Sequence, residues 1–132
     1  MDAPAKPTNT GKRPPFSIRA RLNSFRYAWD GIKAFFAGQH NAIVHLVATV
    51  IVIVLCLVVK LSATELLVLT VVTGMVWITE LLNTAIEKLC DLVSPGLNPK
   101  VKFIKDVAAA AVLVSAVMAV VAALIIFIPK LL

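Results

Sequence analysis

Three long apolar runs dominate the pattern of hydrophobic and polar positions along this chain. They cover residues 43–59, 66–87 and 107–128. A helix crosses a bilayer with about 17–25 mostly apolar residues, so each run predicts one membrane-spanning helix. The second run becomes mixed after Ile78, and its end is predicted to project beyond the bilayer or to line a site. A short connection at residues 61–65 and a turn at residues 94–99, which is rich in Pro and Gly, separate the runs. Pro129 and Lys130 are predicted to close the third span.

An amphipathic segment precedes these runs. Between residues 17 and 37, apolar side chains recur at steps of three and four, which places them on one side of a helix. This stripe consists of Ile18, Leu22, Phe25, Trp29, Ile32 and Phe36. A cationic helix with an aromatic face is typical of the membrane interface. We therefore predict an interfacial helix over residues 17–37, preceded by a disordered polar leader over residues 1–15.

Composition agrees with a membrane protein. Of the 132 residues, 60% are apolar and 15% are charged, whereas soluble domains have about 45–50% apolar and about 25% charged residues. This balance excludes a soluble enzyme, a disordered chain and a disulfide scaffold. The predicted fold is an all-α membrane protein with one interfacial helix and three transmembrane helices, forming a single domain over residues 16–132.

The basic residues set the predicted orientation. The net charge is +6, and seven of the 13 Lys and Arg residues precede the first run. Nucleic acid is one possible partner for this block, but a position beside an apolar segment favours anionic lipid headgroups. The second loop region carries Lys88, Lys100, Lys102 and Lys105, on the side opposite Lys60. The positive-inside rule then places the N-terminus and this loop in the cytoplasm.

The third run has a stripe of small residues, which lets helix backbones approach closely in lipid. Its members are Ala108, Ala111, Ser115, Ala119 and Ala122. Because three thin helices hardly enclose a polar site, the stripe predicts a homo-oligomer. The alternative is that the alanines reflect helix propensity alone.

Acidic residues border the inner ends of the second and third runs. At about 100° per residue, Glu80 shares one helix face with the polar residues that follow it. These are Asn83, Thr84, Glu87 and Asp91. Ionisable groups at a bilayer edge are functional by default, and hard oxygen ligands suit Mg²⁺. The spacing predicts metal binding near the cytoplasm and proton abstraction by the deeper Glu80. Lys105 beside Asp106 could meet a phosphate; the alternative is a solvated helix end with salt bridges to Lys88 and Lys105.

Familiar soluble motifs are missing from the sequence. It contains no Walker A motif, no GxGxxG, no HExxH and no CxxC pair. His40 and His45 have no partner at metal-ligand spacing, so a structural role is favoured for both.

The segment from Glu80 to Asp91, ELLNTAIEKLCD, followed by KDVAAAAV from Lys105, resembles the prokaryotic diacylglycerol kinase family. Residues 25–32 and 41–46 are similar to its N-terminal half. The resemblance implies a homotrimer in the bacterial cytoplasmic (inner) membrane, with sites shared between subunits. It also implies a lipid kinase that uses ATP and Mg²⁺ to phosphorylate the primary hydroxyl of a membrane lipid.

The resemblance also implies roles for individual residues. Glu80 matches the general base, and Glu87 matches a metal-binding glutamate. The matched nucleotide-binding residues are Asn83, Asp91, Lys105 and Asp106, with Arg19, Arg26 and Tyr27 as further candidates. Gln39 stands where the family commonly has a second metal-binding Glu. Its amide oxygen can coordinate Mg²⁺ but brings no charge.

Two lipid substrates and two other function classes remain open from the sequence. The stretch from Asn41 to His45 is closer to undecaprenol kinases, so undecaprenol is a candidate beside diacylglycerol. The alternatives are a small proton-coupled transporter and a structural membrane subunit. Clustering of the acids at one membrane edge argues against the transporter, whose sites lie near the midplane. No nucleic acid is expected as a partner.

Overall fold

The computed structural model describes residues 17–38 and 40–132, and four helices account for most of them. They are α1 (Ile18–Gly38), α2 (His40–Val58), α3 (Ala63–Val93) and α4 (Pro99–Leu131). The part of the chain that the structure describes contains no strand. The predicted all-α class and the four predicted helices are confirmed. The predicted leader over residues 1–15 lies outside the described residues.

The chain divides into two compact units, residues 1–32 and residues 33–132. In the first unit, the structure describes the larger part of α1. Its predicted apolar stripe is exposed in the single chain, with 75% of the surface of Phe25 and 59% of that of Trp29 accessible. A large exposed apolar face is typical of a surface that contacts a membrane or another protein. The location of this face at a membrane interface stays a prediction.

In the second unit, α2, α3 and α4 are each long and apolar enough to cross a membrane, as predicted. The 31 residues of α3 and the 33 of α4 extend about 46 and about 50 Å at a rise of about 1.5 Å per residue. The hydrocarbon core is about 30 Å thick, so both helices extend beyond it. The two helices pack along each other, and α2 adds a smaller contact with α3.

The N-terminal end of α3 differs from its prediction. Residues 61–65 were expected to form a loop, yet α3 begins at Ala63. Ser62 caps the helix, because its hydroxyl accepts the backbone N–H of Glu65 while the Glu65 carboxylate accepts the N–H of Ser62 at 2.7 Å. This reciprocal capping box satisfies two helix-end donors and shortens the loop.

The end of α4 also differs from its prediction. The helix continues through Pro129 to Leu131, where the third span was predicted to close at Pro129 and Lys130. Proline lacks a backbone N–H and disrupts helix interiors, but here it lies in the last turn and affects few backbone bonds. Lys130 joins the helices at this end: its ammonium lies 3.1 Å from Glu65 Oε1 and donates to the carbonyl of Lys60 at 3.1 Å.

The predicted connecting turn at residues 94–99 ends where α4 begins. Pro99 is the first residue of the helix, a position where its missing N–H and fixed φ are tolerated. Asn98 caps this turn, because its side-chain oxygen accepts the N–H of Lys100 at 3.0 Å. The start of α4 is therefore fixed eight residues before the apolar run at Val107.

Candidate functional site

The candidate site is built on the polar face of α3. Glu80 is 2% exposed and Asn83 is 6% exposed, although their neighbours Leu81 and Leu82 are largely open. The helix therefore turns its polar residues toward the packed helices and its leucines outward. A carboxylate buried this deeply within an apolar span is costly unless a partner or a ligand compensates it.

The site continues one turn further along α3. The Asn83 side-chain N–H donates to Glu87 Oε1 at 3.1 Å, so these two residues form one polar group. Asn83 Oδ1 and the Thr84 hydroxyl are buried and have no hydrogen-bond partner among the described residues. Buried polar atoms are nearly always paired in folded proteins. These two atoms therefore have unused hydrogen-bonding capacity within the part of the chain that the structure describes.

Hydroxyl groups fix α3 against α4 at the level of Glu80. The Thr79 and Ser115 hydroxyls are hydrogen-bonded at 2.8 Å, and Ser115 also donates to the carbonyl of Val112 at 2.8 Å. Ser115 belongs to the predicted stripe of small residues, and it is 4% exposed. Within one chain, this part of the stripe packs α4 onto α3.

One ion pair between α3 and α4 and one within α4 lie near the turn that connects these helices. Lys105 pairs with Asp91 across the turn, and Lys102 pairs with Asp106 one helical turn away. The pair between Lys105 and Asp91 is of the kind that the alternative of a salt-bridged helix end predicted, and the nucleotide-binding role of Lys105 and Asp106 stays a prediction. These residues lie outside the predicted spans of residues 66–87 and 107–128. The hydrogen bond from Lys105 lowers the pKa of Asp91 and raises that of Lys105 itself.

His45 enters the site from α2. Its Nε2 lies 4.0 Å from Glu80 Oε2, and its side chain is 18% exposed. The sequence favoured a structural role because His45 has no metal-ligand partner nearby in the chain. One signal was available: His45 is the one basic side chain within the three apolar runs. The contact of His45 with Glu80 depends on how α2 packs against α3, so it could not be predicted from residue spacing in the sequence.

An apolar cleft lies beside His45, the neighbour of the buried carboxylate. It has a volume of about 130 Å³ and lies between α2, α3 and α4. Its walls include His45, Thr49, Thr73, Val76, Ala116 and Ala119. Val76, in the wall of the cleft, lies one turn before Glu80 on the same face of α3. Small side chains from α4 leave this space open.

The remaining predicted residues are spread over other parts of the chain. Arg19, Arg26 and Tyr27 are exposed on α1 in the first unit. The Arg26 guanidinium lies 5.5 Å from the centroid of the Tyr27 ring, within the range of a cation–π contact. Gln39, the predicted second metal ligand, lies outside the described residues.

The donor set at Glu87 fits a magnesium ion that arrives with phosphate groups. Among residues 17–38 and 40–132, no three His, Cys, Asp or Glu side chains come together as a metal cage. Mg²⁺ is commonly held by one or two carboxylates, with waters and substrate phosphates completing its shell. The Glu87 carboxylate beside the unpaired Asn83 Oδ1 offers oxygen ligands of that kind.

Comparisons with known proteins agree on one family. A sequence model of the family described as prokaryotic diacylglycerol kinase matches residues 26–127. A diacylglycerol kinase of Synechocystis sp. is 41% identical over 112 residues, which are 84% of this chain and 64% of that relative. An undecaprenol kinase of Bacillus subtilis is 38% identical over 110 residues, which are 83% of this chain and 89% of that relative. The chain thus spans under two thirds of the first relative and most of the second.

Proposed function

Because this chain belongs to the prokaryotic diacylglycerol kinase family, we propose that it transfers the γ-phosphoryl group of ATP to the hydroxyl of a membrane lipid. The observation that carries this proposal is the buried Glu80 carboxylate, which lies 4.0 Å from His45, a residue of the wall of the apolar cleft. A lipid whose chain lies in the cleft would bring its hydroxyl to this carboxylate.

Glu80 is the proposed general base. Its carboxylate takes the proton of the lipid hydroxyl while that oxygen attacks the γ-phosphorus, and the bond from phosphorus to the leaving ADP oxygen breaks. Burial supports this role, because the packed helices keep bulk water away from the carboxylate. Water then does not compete with the lipid hydroxyl as the attacking nucleophile. Burial also limits the positions that the side chain can take, so the base is held near the attacking oxygen.

The nucleotide side of the site is proposed at the cytoplasmic end of α3 and α4. Glu87 would hold Mg²⁺ together with the Asn83 oxygen, and Gln39 is a further ligand in this proposal. When bound, the ion neutralises charge on the β- and γ-phosphates. The cationic Lys105 would bind phosphate oxygens, since an ammonium has three donors and Asp91 engages only part of them. The other proposed nucleotide contacts are Asp91, Asp106, Arg19, Arg26 and Tyr27.

The substrate is proposed to be diacylglycerol or undecaprenol, yielding phosphatidic acid or undecaprenyl phosphate. Both substrate classes appear in the names of the relatives. The cleft is lined by apolar and small side chains, which suit a hydrocarbon chain of either kind. Specificity therefore depends on the polar groups near the hydroxyl and on the length of chain that the cleft accepts.

We also propose the assembly and orientation of the protein. The chain would form a homotrimer with shared sites in the bacterial cytoplasmic membrane, with its N-terminus in the cytoplasm. The lysines around the turn between α3 and α4 support the orientation by the positive-inside rule.

A radiolabel experiment tests the function. Purified protein receives Mg²⁺ and γ-labelled ATP with diacylglycerol or undecaprenol in mixed micelles, and the extracted lipid is counted. The wild type is expected to label at least one lipid, and Glu80→Gln should lower kcat by about 100-fold or more, as loss of a general base does. Glu65→Gln, at the opposite end of the same helix, is the matched control and should stay within about three-fold.

Two outcomes would contradict the proposal. Folded wild-type protein that labels neither lipid would favour a transporter or a structural subunit instead of a kinase. Normal kcat in Glu80→Gln would keep the kinase but remove Glu80 as its base.

A further inference from the structure

The histidine of α2 lies at the level of the proposed base. His45 Nε2 faces Glu80 Oε2 at 4.0 Å, and both side chains are largely withdrawn from the surface, at 18% and 2% exposure. His45 also forms part of the wall of the apolar cleft. The imidazole therefore lies between the cleft and the carboxylate, close to where a lipid hydroxyl would arrive.

Neighbouring contacts hold the imidazole in this place. The indole N–H of Trp77 donates to the Thr49 hydroxyl at 3.0 Å, and that hydroxyl donates to the carbonyl of His45 at 2.7 Å. The Trp77 ring also meets the imidazole edge to face, with centroids 6.4 Å apart. Trp77 lies three residues before Glu80 on α3. One turn of α2 is thus fixed to the turn of α3 that carries the acid.

His45 is the basic neighbour of the Glu80 carboxylate. No Lys or Arg occurs in the runs 43–59, 66–87 and 107–128. Among the described residues, His45 is the one basic side chain within 4.0 Å of the Glu80 carboxylate. At this level α4 contributes the Ser115 hydroxyl and apolar side chains, and it has no charged residue between Asp106 and Lys130.

We propose that His45 is a positioning residue for Glu80, an inference that rests on the proposed function. The terminal torsion of a glutamate has a broad distribution, so burial alone does not fix which carboxylate oxygen faces the lipid hydroxyl. An Nε2–H of His45 directed at Oε2 selects one orientation and leaves Oε1 to accept the proton of the lipid hydroxyl. The 4.0 Å separation must close by about 1 Å to form this hydrogen bond. Such contacts often tighten only when substrate binds.

Substitutions at His45 test the proposal by steady-state kinetics. His45→Leu removes the donor and keeps the bulk, so kcat is expected to fall about 10- to 100-fold, because misplacement by about 1 Å has an effect of that size. The KM for Mg-ATP should stay within two-fold. His45→Gln, whose amide nitrogen reaches the position of Nε2, should recover most of the lost kcat. Val44→Leu, at an exposed position of the same helix turn, should leave both constants unchanged.

A double-mutant cycle separates positioning from a general packing role. If His45 acts through Glu80, adding His45→Leu to Glu80→Gln should lower kcat by no more than two-fold further. Independent, multiplying losses would overturn the proposal. So would an unchanged kcat in His45→Leu, or equal losses in His45→Leu and His45→Gln.

Thermal unfolding in detergent is measured for the wild type, His45→Leu, Glu80→Gln and the double variant. This measurement does not depend on turnover. The changes in Tm caused by His45→Leu and Glu80→Gln are expected to be non-additive. Additive changes would show that the two side chains do not interact. Should the wild type phosphorylate no lipid, the proposed function fails, and this thermal cycle still decides whether the two side chains interact.

Discussion

Buried polar atoms are the residue-scale feature that gives this site its chemistry. Periodicity along the sequence placed Glu80, Asn83 and Glu87 on one face of a helix, because the angle between successive residues is fixed once the helix is assigned. The distances that bring in His45 could not be predicted this way. They depend on the packing of α2 against α3, which involves side chains more than 30 residues apart in the sequence, such as His45 and Glu80.

The unpaired hydroxyl of Thr84 gives a residue-scale prediction for stability. Thr84→Val keeps the shape and removes a buried polar atom without a partner, so the free energy of unfolding is expected to rise by about 1 kcal/mol. Thr79→Val is the matched change, and it should lower that free energy, because it breaks the 2.8 Å hydrogen bond to Ser115. Unfolding in detergent with increasing denaturant measures both. A loss of stability in Thr84→Val equal to that in Thr79→Val would contradict the prediction.

At the scale of elements, hydropathy along the sequence predicted the number of spanning helices but not the residues at which they begin and end. Apart from Val59, the apolar runs lie within α2, α3 and α4, since burial in lipid requires an apolar, fully hydrogen-bonded segment. The ends follow local chemistry that hydropathy does not measure. The capping box at Ser62 starts α3 earlier than its apolar run, and the contacts of Lys130 accompany a helix that continues past Pro129.

Glu65 at the start of α3 gives an element-scale prediction with a defined pH dependence. Hydrogen bonds from the backbone and hydroxyl of Ser62, with a further one from Lys130, lower the pKa of Glu65 from its usual 4.5. A lowered folded-state pKa means that the stabilisation is present above the unfolded value and is lost as the pH falls through the folded value. Glu65→Gln should therefore have a lower Tm than the wild type at neutral pH.

The difference between the two proteins should close as the pH falls below 4.5. Thermal unfolding between neutral and acidic pH measures it, with Ser94→Ala at the other end of α3 as a control. The Ser94 backbone N–H, which bonds to Cys90, is unaffected by that change. A difference in Tm that stays constant down to acidic pH would show that Glu65 does not stabilise the helix start in its charged form.

At the scale of the whole molecule, the residues proposed for the site come from both compact units. Glu80 and Glu87 both belong to α3, while Arg26 and Tyr27 belong to α1 in the other compact unit. Many apolar side chains of the spans are exposed in the isolated chain, as in the case of Leu57 at 81%. Sequence alone could not decide between lipid and a second subunit as the cover for such faces, because both contact apolar side chains equally well.

Mixing inactive variants tests whether the site is shared between subunits. In a symmetric ring where α3 of one subunit and α1 of its neighbour complete each site, random mixing of Glu80→Gln with Arg26→Ala restores both groups in about a quarter of the sites. Activity well above that of either variant alone is therefore expected after joint reconstitution. Glu80→Gln mixed with Glu87→Gln is the control, because both changes lie on the same helix and leave no intact site. Recovery in the control, or no recovery in the first mixture when each variant alone is inactive, would contradict a site shared in this way.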